Sequence, residues 1–202
     1  MTYDELITQA KAYADRYDKE VADNMAAFFA LAEARINRSI KVREMTSRAR
    51  MRLNEGQEYY PLPADFAGMR DIELVPTDGA RKTLTYLSPE QANIIAESQG
   101  SFTGYTIIAN QLHIVPDQGN SVVEIVYYQK LLPLGAENES NWLSESYPDA
   151  YLNAIMSEIE LFVKNGDAFK LWTVRFNEVM AEIGMNDMKE RWSGTPLQTR
   201  VM

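Results

Sequence analysis

The sequence predicts an α+β fold in which helices from both ends of the chain form a bundle, with a small mixed β domain inserted between them. Apolar residues recur at helical spacing before residue 41 and after residue 147, whereas apolar and polar residues alternate with a period of two in between. Proline and glycine recur through the middle of the chain, which indicates short strands. We therefore predict a helical bundle from residues 1–44 and 144–190, an inserted β-rich domain over 45–143 and a tail over 191–202.

Two amphipathic helices are predicted at the start of the chain. Thr2 and Glu5 have the spacing of a capping box, in which each side chain accepts a hydrogen bond from the other residue's backbone N–H. The second helix is predicted from about residue 22 to residue 40, with Glu33 and Asn37 outside its apolar stripe. That stripe consists of Met25, Phe28, Phe29, Ala32, Ile36 and Ile40.

A row of arginines marks the first predicted strand. Over residues 47–53, Arg48, Arg50 and Arg52 point to one face and apolar residues point to the other. Turn-forming residues at 54–57 predict that the chain returns as a hairpin partner over 58–62. Prolines 61 and 63 place this partner at a sheet edge or a strand end.

Further short strands and one short helix are predicted in the rest of the inserted domain. Ser88, Pro89 and Gln91 predict the capped start of a helix that ends near residue 97. Asn110 and Gln111 predict a tight hairpin turn in which Asn110 takes the left-handed conformation. The predicted strands cover residues 71–75, 83–87, 105–109, 112–115 and 122–129.

The last third of the chain is predicted to begin with an acidic loop over residues 133–149, followed by an antiparallel pair of helices. Pro148 opens the first of these helices, and Asn165 with Gly166 predicts its left-handed cap. The second helix is expected to start at Asp167. Its predicted buried residues are Ala168, Leu171, Trp172, Phe176, Val179, Met180 and Ile183.

Composition excludes several classes of function. The chain has 202 residues, a formal net charge of −9, no Cys and one His. Without Cys there are no disulfides, thiolate zinc sites or iron–sulfur clusters, and a single His excludes a multi-His metal site within the chain. The acidic charge argues against duplex-DNA binding. We find no signal-peptide pattern and no apolar run long enough to span a bilayer, so we expect a soluble protein, and we predict no cofactor.

Few residues are candidates for catalysis. His113 lies within a predicted strand and is interpreted as a surface or cross-strand residue. Glu178 and Glu182 share a helix face, and the abundance of carboxylates is the only support for an alternative function as a cell-wall hydrolase that acts during entry. A solvated helix face is the simpler interpretation, so we predict that the protein is not an enzyme.

Charge is distributed unevenly along the chain. Residues 35–52 contain seven basic residues and one acidic residue, a net charge of +6, whereas the chain after residue 57 is acidic. Three arginines on one strand face repel one another unless an anion lies nearby, and an acidic segment of a second copy, nucleic-acid phosphate or solvent could each relieve this. We predict contact between copies through oppositely charged surfaces. The predicted interface residues are Arg35, Arg38, Arg48, Arg50, Arg52, Glu137, Glu139 and Glu145.

Eight segments, taken in order, carry a resemblance to a known family. They are Ala30–Arg38, Val42–Met45, Tyr60–Phe66, Tyr86–Gln91, Tyr105–Pro116, Val123–Tyr128, Asn141–Leu143 and Pro148–Leu152. In this order the chain resembles the head-to-tail adaptor (connector) proteins of tailed bacteriophages, particularly those of short-tailed phages. The resemblance covers residues from about 20 to about 180.

This resemblance implies a structural virion protein of the head–tail neck that is assembled in the host cytoplasm. It implies a ring, usually of twelve copies, which binds the portal protein, extends the DNA channel and gives tail nozzle or fibre proteins a docking surface. The genomic DNA is expected to pass through without sequence-specific binding. The tail residues Trp192, Leu197 and Val201 are expected to dock on the portal. Another tail component, such as a nozzle subunit, is a further alternative.

Overall fold

The fold is α+β, with helices at both ends of the chain and strands between them. A computed structural model describes residues 1–15, 19–76, 79–97 and 103–192, the side chains of Glu97 and Trp192 excepted. Its helices are α1 (Tyr3–Ala14), α2 (Lys19–Ser39), α3 (Pro89–Glu97), α4 (Trp142–Ser146), α5 (Pro148–Phe162) and α6 (Gly166–Trp192), with a 3₁₀ turn at Arg43–Met45. Its strands are β1 (Thr46–Arg52), β2 (Tyr59–Pro61), β3 (Phe66–Val75), β4 (Lys82–Thr83), β5 (Thr85–Tyr86), β6 (Gly104–Ile108), β7 (Gln111–Val115) and β8 (Val122–Gln129).

The chain divides into two compact units, a helical unit of residues 1–44 and 131–202 and a sheet unit of residues 45–130. Residues 131–143, which the sequence pattern placed with the strands, are therefore grouped with the helices. The reason is visible at α2, where the backbone N–H groups of Leu131 and Leu134 donate to Asn37 Oδ1 at 2.8 Å and to Glu33 Oε1 at 2.7 Å.

Helix α5 occupies the centre of the helical unit. It packs against α1, α2, α4 and α6, and its buried side chains point in nearly every direction around its axis. A helix that is apolar around most of its circumference is stable only when neighbours cover it on several sides. Its fully buried residues include Ala150, Tyr151, Ala154, Ile155, Met156 and Ile159.

Local capping chemistry explains where several helices begin. The predicted capping box of α1 is confirmed, with reciprocal hydrogen bonds between Thr2 and Glu5. The cap predicted between α5 and α6 is wrong in its details. Lys164, and not Asn165 or Gly166, takes the left-handed conformation, with φ of 61°. Asn165 instead caps α6, because its Oδ1 accepts the backbone N–H of Ala168 at 3.4 Å.

The sheet unit contains two four-stranded sheets, with strand orders β1-β8-β3-β4 and β2-β7-β6-β5. The inward faces of the two sheets share one apolar core. Alternate residues of β3, β7 and β8 point into this core, as expected for strands with a single buried face. The core includes Leu53, Tyr60, Leu62, Ile72, Leu74, Leu112, Ile114, Val123, Ile125 and Tyr127.

The hairpin predicted between residues 47–53 and 58–62 is wrong. β1 pairs with β8 along its whole length, from Thr46 opposite Tyr128 to Arg52 opposite Val122. β2 pairs with β7 at the edge of the other sheet. Strand β8 offers β1 eight residues with an apolar inner face, whereas β2 has only three residues and ends at a proline, which cannot donate to a ladder.

Two other local predictions in the sheet unit are confirmed. Ser88 and Gln91 cap α3 reciprocally, with hydrogen bonds of 3.0 and 3.3 Å. β6 and β7 form a tight hairpin. Its turn residues are Ala109 and Asn110, both left-handed with φ of 47° and 63°, so the turn lies one residue earlier than predicted.

The segment predicted as an acidic loop over residues 133–149 contains the short helix α4. Asn141 Oδ1 accepts the backbone N–H groups of Leu143 and Ser144 at 3.1 and 3.0 Å, while Ser144 Oγ accepts the backbone N–H of Asn141. Serine therefore replaces the Glu or Gln that usually completes a capping box. Because position 144 holds Ser in place of Glu or Gln, the sequence does not show the usual capping-box pattern for α4.

Candidate functional site

The arginine row of β1 has its counter-ion within the same chain. Glu124 of β8 lies directly opposite Arg50 in the strand register. Its carboxylate lies 2.5 Å from Arg50 Nε and 3.5 Å from one guanidinium nitrogen each of Arg48 and Arg81. Glu124 is only 5% exposed. The hydrogen bond from Arg50 is the main reason that the pKa of Glu124 lies below the ordinary value of a glutamate, while burial acts in the opposite direction.

This face of the sheet nevertheless keeps positive charge available to solvent. Arg81 also pairs with Glu73 at 3.0 Å, so two carboxylates serve three guanidinium groups. The side chain of Arg48 is 74% exposed, and Arg52 is also exposed. Guanidinium groups in such an arrangement could hold a further anion. The predicted role of Arg48, Arg50 and Arg52 between copies stays a prediction.

The two predicted interface arginines of α2 differ in their surroundings. Arg35 is half-buried and connects three helices, since its Nη1 donates to Ser157 Oγ of α5 at 3.0 Å and its Cζ lies 4.3 Å from the centre of the Phe176 ring of α6. It therefore stabilises the helical unit itself. Arg38, by contrast, is exposed on the surface of α2.

A second ion-pair cluster joins the 3₁₀ turn that follows α2 to α6. Asp187 is buried, and its carboxylate lies 3.0 Å from Arg43 Nε and 2.7 Å from a guanidinium nitrogen of Arg191. Arg43 also pairs with Glu190. Burial would raise the pKa of Asp187, but the hydrogen bonds from Arg43 and Arg191 hold it below its ordinary value. The charges of Arg43 and Arg191 are therefore paired with carboxylates of the same chain.

The predicted acidic interface residues lie on the surface of the helical unit. Glu137, Glu139 and Glu145 are all exposed. Ser140 Oγ donates to the Glu145 carboxylate at 2.6 Å. The start of this segment is held against α2 by the backbone N–H groups of Leu131 and Leu134. Their contact with a second copy stays a prediction.

A buried polar cluster, which the sequence pattern did not reveal, fixes this segment. Glu33 of α2 accepts the backbone N–H of Leu134 and, at 3.3 Å, the hydroxyl of Tyr151. Asn141 Nδ2 donates to the same hydroxyl at 2.7 Å. Burial raises the pKa of the Glu33 carboxyl despite these hydrogen bonds. The one available signal was a pair of polar residues, Glu33 and Asn37, four positions apart on an otherwise amphipathic helix.

The candidate catalytic residues do not form a site. His113 is buried, and its ring lies 4.8 Å from the ring of Tyr59 on the neighbouring strand, so the cross-strand interpretation is right and the surface one is wrong. Glu178 and Glu182 are exposed on α6. Across the described residues, no group of three or more His, Asp or Glu side chains is placed to hold a metal ion. None of the helices in the described ranges combines the length and apolar character that crossing a membrane requires.

Helix α6 has a second apolar face, which the sequence pattern assigned in part to the core. Leu171, predicted to be buried, is 53% exposed, and so is Val174. Met185 and Met188 are also more than half exposed. Of the predicted tail, Leu197 and Val201 lie outside the described residues, as does the side chain of Trp192, whose backbone ends α6.

Comparison with known proteins assigns the chain to a family. A family model described as SU10 adaptor protein matches residues 1–200. No curated protein matches the chain. The match extends over both the helical unit and the sheet unit, and it is consistent with a phage head-to-tail adaptor. The chain therefore belongs to the SU10 adaptor protein family.

Proposed function

We propose that this protein forms a ring of twelve copies, like other head-to-tail adaptors, that joins the portal to the tail and extends the DNA channel. The family match over residues 1–200 is the observation that carries this proposal. The protein then acts in the virion neck after assembly in the host cytoplasm. Its partners are further copies of itself, the portal protein, and tail nozzle or fibre proteins.

The charge of the chain is compatible with a passage for DNA. Tight binding to duplex DNA depends on basic residues that displace counter-ions from the phosphates. A chain with a net charge of −9 has little general attraction for DNA, and part of its basic charge is already paired with carboxylates such as Glu124 and Asp187. We therefore propose that DNA passes through the ring without sequence-specific binding.

A closed ring requires that one surface of each copy binds a different surface of the next copy. Oppositely charged surfaces suit this requirement, and the chain has both. The basic residues Arg38, Arg48 and Arg52 are each exposed, and so are the carboxylates of Glu137, Glu139 and Glu145. In this proposal the bundled terminal helices form the ring core, and residues 191–202 dock on the portal.

The role is structural and includes no catalytic step. Family membership supports this part of the proposal. Glu178 and Glu182, the pair that could have served a hydrolase, are both exposed to solvent on one helix. A catalytic pair of carboxyl groups usually needs two different environments, which push the pKa values of the two groups apart.

The proposal is tested with the purified chain and the portal protein of the same phage. Electron microscopy of the mixture is expected to show rings stacked on the portal. Particles that lack the protein are expected to package DNA but to leak it or to lack a tail. If the protein is missing from purified wild-type virions, the proposal is wrong.

A matched truncation tests the docking role of the tail. Removing residues 193–202 is expected to leave ring formation intact and to weaken binding to the portal. Binding to the portal at wild-type affinity would contradict the proposed role of the tail. The thermal unfolding of the truncated chain provides the control for folding.

A further inference from the structure

We infer that the outer face of α6 in one copy packs against the outer face of α2 in the next copy, with the two helices running in the same direction. This inference rests on the proposed ring and names the surfaces that form it. It depends on four observations: the apolar outer face of α6, the complementary face of α2, the position of both helices around α5, and the charges along them.

The first observation is that α6 is apolar on two opposite sides. Its inner side buries Phe176, Met180 and Ile183. Its outer side exposes four large apolar residues, each between 53% and 62% exposed, as two pairs three positions apart. The exposed Glu178 and Ala181 lie between the pairs and complete the alternating spacing of three and four that places residues in one stripe along a helix. A stripe of this length, about 26 Å at 1.5 Å per residue, has the form of a helix–helix interface. The stripe consists of Leu171, Val174, Glu178, Ala181, Met185 and Met188, all exposed.

The second observation is that α2 has an outer face of complementary shape. Leu31 is 54% exposed, and the exposed small residues Ala27 and Ala34 lie one turn away on either side of it. Arg38 continues the same face towards the end of the helix. Small residues around a single large one leave room for bulky side chains from a facing helix, and flexible methionines adapt readily to such a surface.

The third observation is the position of these faces within the helical unit. Helices α2 and α6 both pack extensively on α5. Their exposed faces are two different surfaces of the unit, and the end of the α6 stripe, at Ala181, Met185 and Met188, borders a cleft shared with residues 39–42 of the same copy. Two different surfaces are what a head-to-tail ring contact needs, whereas a two-fold dimer would use one surface twice.

The direction of the helices is also consistent with a ring. Within one copy, Arg35 of α2 contacts Phe176 of α6, and Arg43, just past the end of α2, contacts Asp187 further along α6. The two helices therefore run in the same direction. Neighbouring copies in a ring of many subunits differ by a small rotation, so α2 and α6 of adjacent copies also run in nearly the same direction.

The fourth observation is charge. Suppose that α2 and α6 of adjacent copies have the same relative height along their axes as they have within one copy. Leu31 then lies within one helical turn of Val174, and Arg38 lies at a height between those of Glu178 and Glu182. Glu178 is the one charged residue in the α6 stripe, and burying it requires a cation. Within the part of the chain that the structure describes, none of these three charged residues forms an ion pair. Arg38 of the neighbouring copy supplies the missing partner.

Disulfide cross-linking tests the contact directly, because the natural chain has no Cys. The double variant Leu31→Cys/Val174→Cys is assembled on the portal protein, oxidised and analysed on a denaturing gel. A head-to-tail contact is expected to give a ladder of dimers, trimers and higher multimers. Glu20→Cys/Val174→Cys is the matched control. Glu20 lies on the same face of α2 but about 16 Å from Leu31, too far for a disulfide with Val174 at this register.

The outcomes separate this inference from the proposed ring. Rings visible by electron microscopy without a ladder would overturn the inference and leave the ring in place. Dimers formed by Val174→Cys alone would overturn it too, because they would show α6 packed on α6. If no rings form, the proposed function fails and the inference fails with it. A charge-swap pair adds an independent test: Arg38→Glu is expected to reduce ring assembly, and Arg38→Glu combined with Glu178→Arg is expected to restore it.

Discussion

The outer face of α6 and the arginine face of β1 look alike in one respect, since each presents a row of side chains that requires a partner. They differ in where the partner is found. The arginines lie next to Glu124, which is on the adjacent strand of the same sheet. The large apolar residues on the outer face of α6, Leu171, Val174, Met185 and Met188, stay more than half exposed.

This difference shows which signal better identifies a surface for assembly. A run of like charges in the sequence suggests an external partner, but a single buried carboxylate can satisfy much of it at short range. Exposed apolar side chains have no such internal solution, because only burial against another surface removes them from water. We therefore expect α6 to contribute more to assembly than the arginine row.

The largest expected effect distinguishes the two sides of α6. Phe176→Ala removes a buried ring that also contacts Arg35, and it is expected to lower the free energy of unfolding by about 3–5 kcal/mol. Val174→Ala, two residues away on the outer side, is expected to change it by no more than about 0.5 kcal/mol. Urea unfolding of both variants measures the difference. Equal losses would contradict the assignment of an inner and an outer face.

The next effect concerns assembly and not folding. Val174→Asp combined with Met185→Asp places charge on the outer face of α6, and it is expected to weaken association between copies at least about 30-fold. Light scattering of the assembling protein measures this loss. Ile94→Asp is the control, since Ile94 is equally apolar and 68% exposed but lies on α3. A comparable loss of assembly in the control would show that the effect is not specific to α6.

A smaller effect is expected from removing the counter-ion of the arginine row. Glu124→Gln leaves Arg48, Arg50 and Arg81 without their shared carboxylate and is expected to lower the unfolding temperature. Because folding lowers the pKa of Glu124, its contribution is complete above the ordinary value of 4.5 and is lost as the pH falls through the folded-state pKa. The gap between wild type and variant is therefore expected to be wide at neutral pH and to close in acid. A gap that does not depend on pH would indicate that the carboxylate charge is not responsible.

The smallest effect is expected at Arg52, the exposed end of the same row. Arg52→Ala is expected to leave the unfolding temperature unchanged, whereas Arg50→Ala is expected to lower it because Arg50 binds Glu124. Thermal unfolding of the two variants compares them. If Arg52→Ala impairs ring assembly while folding is preserved, the predicted charge contact between copies is strengthened. If assembly is also unchanged, Arg52 does not belong to the interface.

Local features were predictable because their chemistry is contained in a few consecutive residues. The capping boxes at Thr2 and Ser88 and the hairpin turn at Asn110 each depend on neighbours within four positions, and all three occur in the structure. Alternation along residues 47–53 also placed the arginines correctly on the exposed face of a strand. The partner of that strand was predicted incorrectly, because pairing depends on which strands are long and apolar enough to share a core.

The candidate assembly surfaces were predictable only in part. The charge pattern indicated both Arg38 and Arg35 as interface residues. Arg38 is exposed, whereas Arg35 donates a hydrogen bond to Ser157 within the helical unit. The apolar spacing assigned Leu171 to the core, although Leu171 is exposed. When a helix has apolar residues on two sides, their spacing does not indicate which side the rest of the protein covers.

By itself, the sequence determined the α+β class, the positions of most helices and strands, and a resemblance to phage adaptors that the family match supports. Periodicity and capping are properties of neighbouring residues, so they can be read without a structure. Only the tertiary structure decided that Glu124 pairs with Arg48 and Arg50 of the arginine row, that Glu33 holds the segment after Leu131, and that one apolar side of α6 stays exposed. Each of these depends on contacts between residues distant in the chain, and those contacts exist only once the core has formed.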